Sequence, residues 1–277
     1  MKWRRGHRSA HVEDRRAQGG GRRKLAVGGV TGVIVLLVGA YLGVDVSGLL
    51  GKGGSSGSSS QPYKPTAKEQ KMFDFVNFVH DDILDTWTKL DRKRFQPAKL
   101  VVYRRGTPTA GCGYGKSAIG PFYCPADKTA YIDTSFFQEL GRKLGAPGDF
   151  AQAYVLAHEI GHHVQNLYGT SAKVRRFKKR ASKADGNRES VKLELQADCY
   201  AGVWAHSAKK RGLVEIGDIE EALTAAAAIG DDALQKGAGR TVRPESWTHG
   251  SSADRQKWFK RGLRSGDPDR CNTFDEM

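Results

Sequence analysis

The amino-acid sequence predicts an α+β fold that is mainly helical, with a small, mostly antiparallel sheet, after one N-terminal transmembrane helix. Three observations support this fold class. A run of twenty uncharged, largely apolar residues lies near the N-terminus. Five later segments have apolar residues at helical spacing, and β-rich runs alternate with glycine-rich turns in the centre of the chain.

The first part of the chain, residues 1–24, is strongly basic. It carries nine Lys or Arg residues against Glu13 and Asp14, so nearly half of the formal net charge of +15 lies here. The run LAVGGVTGVIVLLVGAYLGV, residues 25–44, follows directly and is long enough to cross a bilayer as a helix. A secretory signal peptide is the alternative, but this run is too long for one and no small-residue cleavage site follows it.

These features predict a single-pass protein of the cell membrane. By the positive-inside rule the basic head lies in the cytoplasm, and the chain beyond residue 44 lies outside it. This topology accounts for the charge of the head, so the sequence gives no reason to expect nucleic-acid binding. A Gly/Ser-rich linker, residues 45–65, then joins the anchor to a folded domain, residues 66–277.

The folded domain opens with a predicted amphipathic helix, TAKEQKMFDFVNFVHDDILDTWTKLD. Thr66 and Glu69 have the spacing of a capping box. We expect His80, Asp81 and Asp82 on the solvent-exposed face of this helix. The predicted strands KLVVYRRG and KTAYIDTSFF follow, on either side of the turn-rich stretch GCGYGKSAIGPFYC.

Four further helices are predicted after the strands. The first runs from about Phe150 to Tyr168 and ends before Gly169, and the second runs from about Ser190 to Lys210. The basic stretch between them, KVRRFKKRASKADGN, is expected to be a solvent-exposed connector. The segments DIEEALTAAAAIGDDALQ and SSADRQKWFKRGLRSG complete the set, the latter with Ser251 as its N-cap.

The helix that begins near Phe150 contains the motif H-E-x-x-H. Histidines four residues apart lie on one face of a helix, about 5–6 Å from each other. His158 and His162 can therefore bind one Zn²⁺ through their imidazole nitrogens. Glu159 lies one step around the helix, where it can act as a base on a water molecule. His163 has no ligand role by spacing, and we expect it to be a partly exposed neighbour.

A catalytic zinc needs a third protein ligand, and Tyr168 stands where one class of zinc peptidases has a third histidine. The segment LELQADCYAGVWA supplies Glu194 and Asp198, four residues apart on the next helix. Glu194 is the predicted third ligand. Asp198 is predicted to accept a hydrogen bond from the other ring nitrogen of a zinc-binding histidine. The small residues Ala197, Ala201 and Gly202 are expected to pack against the first helix.

The motif H-E-x-x-H followed by E-x-x-x-D on a second helix resembles the glutamate-zincin metallopeptidases. The whole chain resembles the bacterial putative neutral zinc metallopeptidase family, through VEDRR, PFYCPAD, HEIGHHVQN, ELQADCYAG and THGSSADRQKWF. The resemblance implies a zincin-like domain that hydrolyses peptide bonds. It also implies His249 as a donor to the oxyanion of the reaction. A peptide substrate is expected to lie along a sheet edge, for which TAYIDTSFF is the predicted strand.

The chain has four cysteines and no C-x-x-C pair, so a structural zinc knuckle is not expected. Outside the cytoplasm four cysteines predict two disulfides, for which three connectivities are open. We favour Cys112–Cys124, across a predicted hairpin, and Cys199–Cys271, which would tie the C-terminal tail to a core helix. Four unpaired thiols are the alternative.

Two other functions fit part of the sequence. The first is a non-catalytic scaffold stabilised by zinc, although such a protein has no use for the base Glu159. The second is a tethered module that binds an anionic envelope polymer or lipid. It is suggested by the net charge of +8 on residues 25–277, to which the basic cluster Arg175, Arg176, Lys178, Lys179 and Arg180 contributes.

Overall fold

A computed structural model describes residues 1–18, 63–117 and 120–277 of the chain. The predicted transmembrane helix, residues 25–44, and nearly all of the predicted linker, residues 45–65, lie outside these ranges. Within them, no helix combines the length and the apolar character that crossing a bilayer requires.

The described residues form a mainly helical α+β fold with two small sheets. The α-helices are α1 (Ala67–Leu90), α2 (Ser135–Arg142), α3 (Asp149–Leu167), α4 (Thr170–Lys178), α5 (Lys183–Lys210), α6 (Asp218–Ala228), α7 (Asp231–Gly237), α8 (Ser252–Ser265) and α9 (Thr273–Glu276). Short 3₁₀ helices span Pro244–Ser246 and Pro268–Cys271. The strands are β1 (Val12–Asp14), β2 (Lys99–Tyr103), β3 (Gly106–Pro108), β4 (Tyr114–Lys116), β5 (Phe122–Cys124) and β6 (Thr129–Asp133).

Two of the predicted helix caps are confirmed. The hydroxyl of Thr66 accepts a hydrogen bond from the Glu69 N–H, and the Glu69 carboxylate accepts one from the Thr66 N–H. These bonds complete the capping box of α1. Ser251 caps α8 by accepting a hydrogen bond from the Asp254 N–H.

The cations of the basic stretch between the two site helices are exposed, as predicted, but most of the stretch is helical and not an irregular connector. It forms α4 and the first turns of α5. Gly169, with a φ of 80°, turns the chain between α3 and α4. Val174 is buried and holds α4 against the body, while Ser182 caps α5 through the Asp185 N–H. One buried residue and one N-cap thus stabilise helices in a segment whose high charge predicts only exposure to solvent.

The main sheet has four strands in the order β1-β2-β6-β5, and β3 and β4 form a separate antiparallel pair. Strands β1 and β6 both run parallel to β2, and only β5 pairs antiparallel with β6. The prediction of a mostly antiparallel sheet is therefore wrong for this sheet. The chain forms β3, β4 and β5 between β2 and β6. It then enters β6 running in the same direction as β2.

The predicted substrate-binding edge is also wrong. The segment TAYIDTSFF supplies β6, which lies between β2 and β5, and all five residues of this strand are buried. Strand β5 is the outer strand beside it.

The N-terminal segment is part of the same folded body. Strand β1 pairs in register with β2, Val12 opposite Leu100 and Asp14 opposite Val102. Arg16 is buried, bonded to Asp14, and its guanidinium lies 4.1 Å from the centre of the Phe73 ring. Paired strands must lie on the same side of a membrane, so this arrangement does not agree with a cytoplasmic head and an extracytoplasmic domain.

Helix α1 buries polar side chains that we expected on its exposed face. His80 is fully buried, and its Nε2 donates a hydrogen bond to the Ala98 carbonyl at 3.1 Å. Asp82 is buried as well and accepts bonds from the Trp204 indole and the Arg211 guanidinium. A polar residue within an amphipathic helix is thus buried here because a specific partner faces it.

Both predicted disulfides are present. Cys112–Cys124 links the loop before β4 to β5, with Cα atoms 5.9 Å apart. Cys199–Cys271 links α5 to the C-terminal 3₁₀ helix, with Cα atoms 5.6 Å apart.

Candidate metal centre

The candidate site lies where α3 and α5 cross. A Cβ added to Gly161 would lie 3.0 Å from the Cα of Ala197, so the two helix backbones approach as closely as glycine permits. This contact confirms Ala197 as a packing residue between the helices. Gly202 instead faces α8, where an added Cβ would overlap the Phe259 carbonyl, so its predicted contact with α3 is wrong.

The close approach brings three predicted ligands together. One ligand atom from each of His158, His162 and Glu194 lies within 4.8 Å of the others. The Glu194 Oε2 atom is 3.2 Å from the Nε2 of His158 and 3.5 Å from the Nε2 of His162. Both imidazoles therefore direct the same nitrogen toward one carboxylate oxygen.

The orientation of His158 is fixed from behind by Asp198. The Asp198 Oδ1 atom lies 2.9 Å from Nδ1 of His158, and both side chains are buried. A carboxylate only accepts, so Nδ1 donates, and Nε2 is the nitrogen that can offer a lone pair to a metal. Asp198 thus lies where the sequence predicts it, beside a histidine that is a candidate zinc ligand.

The orientation of His162 is fixed by Gln165, which the sequence reasoning missed. The amide nitrogen of Gln165 donates to the carbonyl of Leu193 at 2.6 Å and to the side-chain oxygen of Gln196 at 3.1 Å. This directs Oε1 of Gln165 toward Nδ1 of His162, at 2.9 Å. The His162 Nδ1 therefore donates, and its Nε2 is likewise the nitrogen that can bind a metal.

These contacts test whether a metal fits the site. With both rings neutral, two imidazole lone pairs and a carboxylate oxygen face one another at 3.2 and 3.5 Å. Acceptors at these distances repel each other, so a cation must lie between them, either a metal ion or, without one, a proton on an imidazole. Two histidine nitrogens and one carboxylate form a ligand set that zinc peptidases use, so the residues fit Zn²⁺.

The electrostatics of the cluster agree with this assignment. Burial lowers the pKa of His158, but the charge and hydrogen bond of Asp198 outweigh it and raise the pKa to about 10. Burial raises the pKa of Glu194, but the charge of His162 and hydrogen bonds from both histidines hold it well below its usual value. Without a metal, a proton on Nε2 therefore offsets the charge of the carboxylates, and a divalent cation that binds here would replace this proton.

Glu159 lies beside the cluster in the wall of a cavity of about 440 Å³, which His158, His162 and Glu194 also line. It is almost fully buried, and no side chain or backbone group among the described residues hydrogen-bonds to its carboxylate. Burial raises its pKa, against the lowering effect of His162 and His158. An unpartnered carboxylate at this position can accept a proton from a molecule in the cavity.

His249 lines the same cavity from the loop before α8. Its backbone N–H donates to Oδ2 of Asp231 at 2.6 Å, and its Nδ1 lies 3.3 Å from Oδ1 of Asp231. Asp231 also accepts hydrogen bonds from the backbone N–H groups of Thr248 and Gly250. One buried carboxylate therefore holds this loop and the imidazole at the cavity.

Asp198 itself belongs to a buried network that the sequence reasoning missed. Arg255, on α8, donates to both of its oxygens, from Nε at 2.8 Å and from Nη2 at 2.9 Å. The Tyr154 hydroxyl donates to Oδ1 at 2.5 Å. Arg255 lies in THGSSADRQKWF, one of the stretches that carry the family resemblance. No spacing rule links this stretch to Asp198, so the sequence alone does not predict the contact.

His163 is fully buried, so the expectation of a partly exposed neighbour is wrong. Its Nδ1 lies 2.9 Å from the Tyr123 hydroxyl, and its Nε2 lies 2.6 Å from the Gln96 carbonyl. Both ring nitrogens have partners outside the ligand cluster, so His163 ties α3 to β5 and to the loop before β2.

Comparisons with known proteins agree with this site. The family described as "Putative neutral zinc metallopeptidase" matches residues 1–274. The uncharacterized protein YpfJ of Escherichia coli strain K12 is 49% identical over 286 residues, covering 99% of each chain. The uncharacterized protein Rv2575 of Mycobacterium tuberculosis strain H37Rv is 50% identical over 180 residues, 61% of this chain and 60% of its own. No solved structure matches the chain.

Proposed function

Because the chain belongs to the putative neutral zinc metallopeptidase family, we propose that it is a zinc-dependent endopeptidase with Glu159 as its catalytic base. One observation carries this proposal. The Nε2 atoms of His158 and His162 converge on Glu194, and the unpartnered carboxylate of Glu159 lies beside them in the same cavity. A purely structural zinc site needs the first feature but not the second.

His158, His162 and Glu194 would hold Zn²⁺. When bound, the ion would act as a Lewis acid that lowers the pKa of a water molecule and polarises the carbonyl of the scissile bond. Asp198 and Gln165 support this role because each holds one histidine in the tautomer that leaves Nε2 free to bind.

Glu159 is the proposed general base and general acid. It accepts the proton of the attacking water and later delivers that proton to the nitrogen of the departing amine. No hydrogen bond to a described residue restrains its carboxylate, so it can turn between these two partners.

His249 is the proposed donor to the negative charge that develops on the carbonyl oxygen. With Nδ1 directed toward Asp231, the opposite nitrogen of the ring is available for the substrate. The family resemblance suggested His249, and its place in the cavity wall and its anchoring by Asp231 support the assignment.

The peptide substrate is proposed to lie along β5 rather than β6. Phe122 and Tyr123 of this strand line the cavity, and β5 is the outer strand of the sheet on this side. Its free backbone groups can pair with an extended peptide, which would cross the cavity in front of Glu159. A membrane crossing by residues 25–44 stays a prediction from the sequence alone, and the pairing of β1 with β2 is evidence against the topology that it implies.

The test is hydrolysis of a mixed peptide library by the full chain, first stripped of metal with a chelator and then supplied with one equivalent of Zn²⁺. We expect internal peptide bonds to be cut by the zinc-loaded protein and not by the stripped protein. If a folded protein with one bound zinc leaves every peptide intact, the proposal fails, and the scaffold alternative takes its place.

A further inference from the structure

Helix α4 and the start of α5 carry a concentrated positive charge beside the catalytic cavity. Residues 170–188 contain eight Lys or Arg residues and one acid, Asp185, a net charge of +7 out of +15 for the chain. We call seven of these residues the basic lip: Lys173, Arg175, Arg176, Lys178, Lys179, Arg180 and Lys183.

The charge of the basic lip is not neutralised within the described part of the chain. None of its seven cations forms an ion pair with a described carboxylate. Asp185 pairs with Arg188 instead, and Glu189 pairs with Lys192. Lys178 donates to the hydroxyl of Ser190, which is neutral. The lip therefore presents a positive potential to an incoming molecule.

One face of α4 forms part of the cavity wall. Ser171, Val174, Arg175 and Lys178 line the cavity and are spaced at i, i+3, i+4 and i+7, which places them on one side of the helix. Two members of the basic lip, Arg175 and Lys178, thus border the space that holds the candidate metal ligands. The other members lie off this face and do not line the cavity.

Apart from these cations, Arg255 and the site residues, the cavity wall is largely apolar. Its apolar members include Phe122, Phe136, Leu144, Val155, Leu193 and Leu234. Its only acidic side chains among the described residues are Glu159 and Glu194. The space therefore suits an apolar side chain next to a group of negative charge.

We propose that the substrate is an acidic peptide segment. An apolar side chain of this segment occupies the cavity, and neighbouring Asp or Glu residues contact Arg175 and Lys178. This inference rests on the proposed peptidase function and adds the substrate class to it.

The alternative partner, an anionic lipid surface or polymer, would contact the outer members of the lip. Arg176, Lys179 and Arg180 are exposed and lie outside the cavity wall. Binding of such a partner would not require Arg175 and Lys178 to lie in the cavity wall. Charge on the inner face of α4, in the wall of the cavity itself, favours a ligand small enough to enter.

The first experiment measures binding with the zinc-loaded full chain carrying Glu159→Gln, so that bound peptide is not consumed. Two labelled peptides share one apolar centre, and one has flanking Glu residues where the other has Gln. We expect the acidic peptide to bind about tenfold more tightly at low salt, as for two partly exposed ion pairs, and the difference to shrink in high salt. Equal dissociation constants would overturn the proposal.

The second experiment locates the preference. The double variant Arg175→Glu/Lys178→Glu should remove it, whereas Lys209→Glu/Lys210→Glu makes the same change of charge at the far end of α5 and should preserve it. Lys179→Glu/Arg180→Glu tests the outer lip. The proposal is wrong if the inner variant keeps the preference for the acidic peptide and the outer variant abolishes binding to vesicles of anionic phospholipid. The basic lip would then bind a membrane surface.

Hydrolysis by the parent protein separates this inference from the proposed function. Zinc-dependent cleavage of acidic and neutral peptides at equal kcat/KM would overturn the acidic substrate class and leave the peptidase in place. Preferential binding of the acidic peptide without cleavage of any peptide would overturn the peptidase and leave recognition of acidic peptides by the lip.

Discussion

Arg255 binds the carboxylate of Asp198 with two hydrogen bonds, and neither side chain is accessible to solvent. The same carboxylate accepts the Nδ1 proton of His158. The guanidinium therefore offsets the negative charge of Asp198 and holds it in the rotamer that orients a metal ligand. An arginine from α8 thus orients His158 through Asp198, and it also borders the cavity itself.

Removal of this arginine is expected to destabilise the fold. In Arg255→Met a buried carboxylate loses its charge partner, and the free energy of unfolding should fall by about 3–5 kcal/mol. The matched control is Arg261→Met on the same helix, which breaks an exposed pair with Glu276 and should cost under about 1 kcal/mol. Equal effects of the two variants in urea denaturation would contradict this role.

Gln165 is expected to determine zinc affinity without touching the metal. In Gln165→Leu the Nδ1 proton of His162 loses its acceptor, so the tautomer with a free Nε2 is no longer favoured. Zinc affinity should fall by about 10- to 100-fold in competition with a chelator. Gln152 is also buried on α3, and one of its side-chain atoms has no hydrogen-bond partner. Gln152→Leu should leave zinc affinity unchanged, and a similar loss in both variants would refute the specific role.

The N-terminal segment is expected to contribute to the stability of the folded domain. Arg16 joins β1 to α1 through Asp14, the Glu69 carbonyl and the ring of Phe73. In Arg16→Ala these contacts are lost, and the free energy of unfolding should fall by about 1–3 kcal/mol. Arg5→Ala removes an exposed arginine of the same segment and is the control. Identical unfolding curves for both variants and the parent would mean that residues 1–18 do not dock as described.

Acid is expected to destabilise the protein through His80. Burial lowers the pKa of His80 to about 4, whereas the unfolded chain has a value of about 6.5. Between these values the unfolded chain binds a proton that the folded protein does not, so stability falls as the pH falls through this window. The loss at pH 5 relative to pH 7 should be roughly 2 kcal/mol.

The variant His80→Gln isolates this contribution, since every other titrating group is common to both proteins. Its difference in stability from the parent should shrink between pH 7 and pH 5. A difference that stays constant over this range would show that His80 does not remain neutral in the folded protein.

The local part of the site could be read from the sequence. The spacing of His158 and His162 reflects the pitch of a helix, and the spacing of Glu194 and Asp198 reflects it again. Gln165 obeys the same rule, three residues after His162, but glutamine on a helix has many uses and its spacing alone names no partner. Arg255 is 57 positions from Asp198, and only the packing of α8 against α5 brings the two together.

The sheet could be predicted only in part, for a related reason. The runs that form β2 and β6 are visible in the sequence, but their parallel pairing depends on the path of the chain between them. From the sequence, the charged stretch VEDRR is interpreted as part of a basic head that sets membrane topology, because charged side chains are usually exposed to solvent. In the structure Arg16 is buried instead, because Asp14 and the Phe73 ring face it.

The measurement that tests the central claim most directly compares Glu159→Gln with the parent, both loaded with one equivalent of Zn²⁺. We expect equal zinc affinity and equal stability, and a kcat for peptide hydrolysis that is lower by about 10²- to 10⁴-fold in the variant. Equal hydrolysis by the two proteins would contradict the assignment of Glu159 as the base. Loss of zinc binding in the variant would make Glu159 a ligand instead.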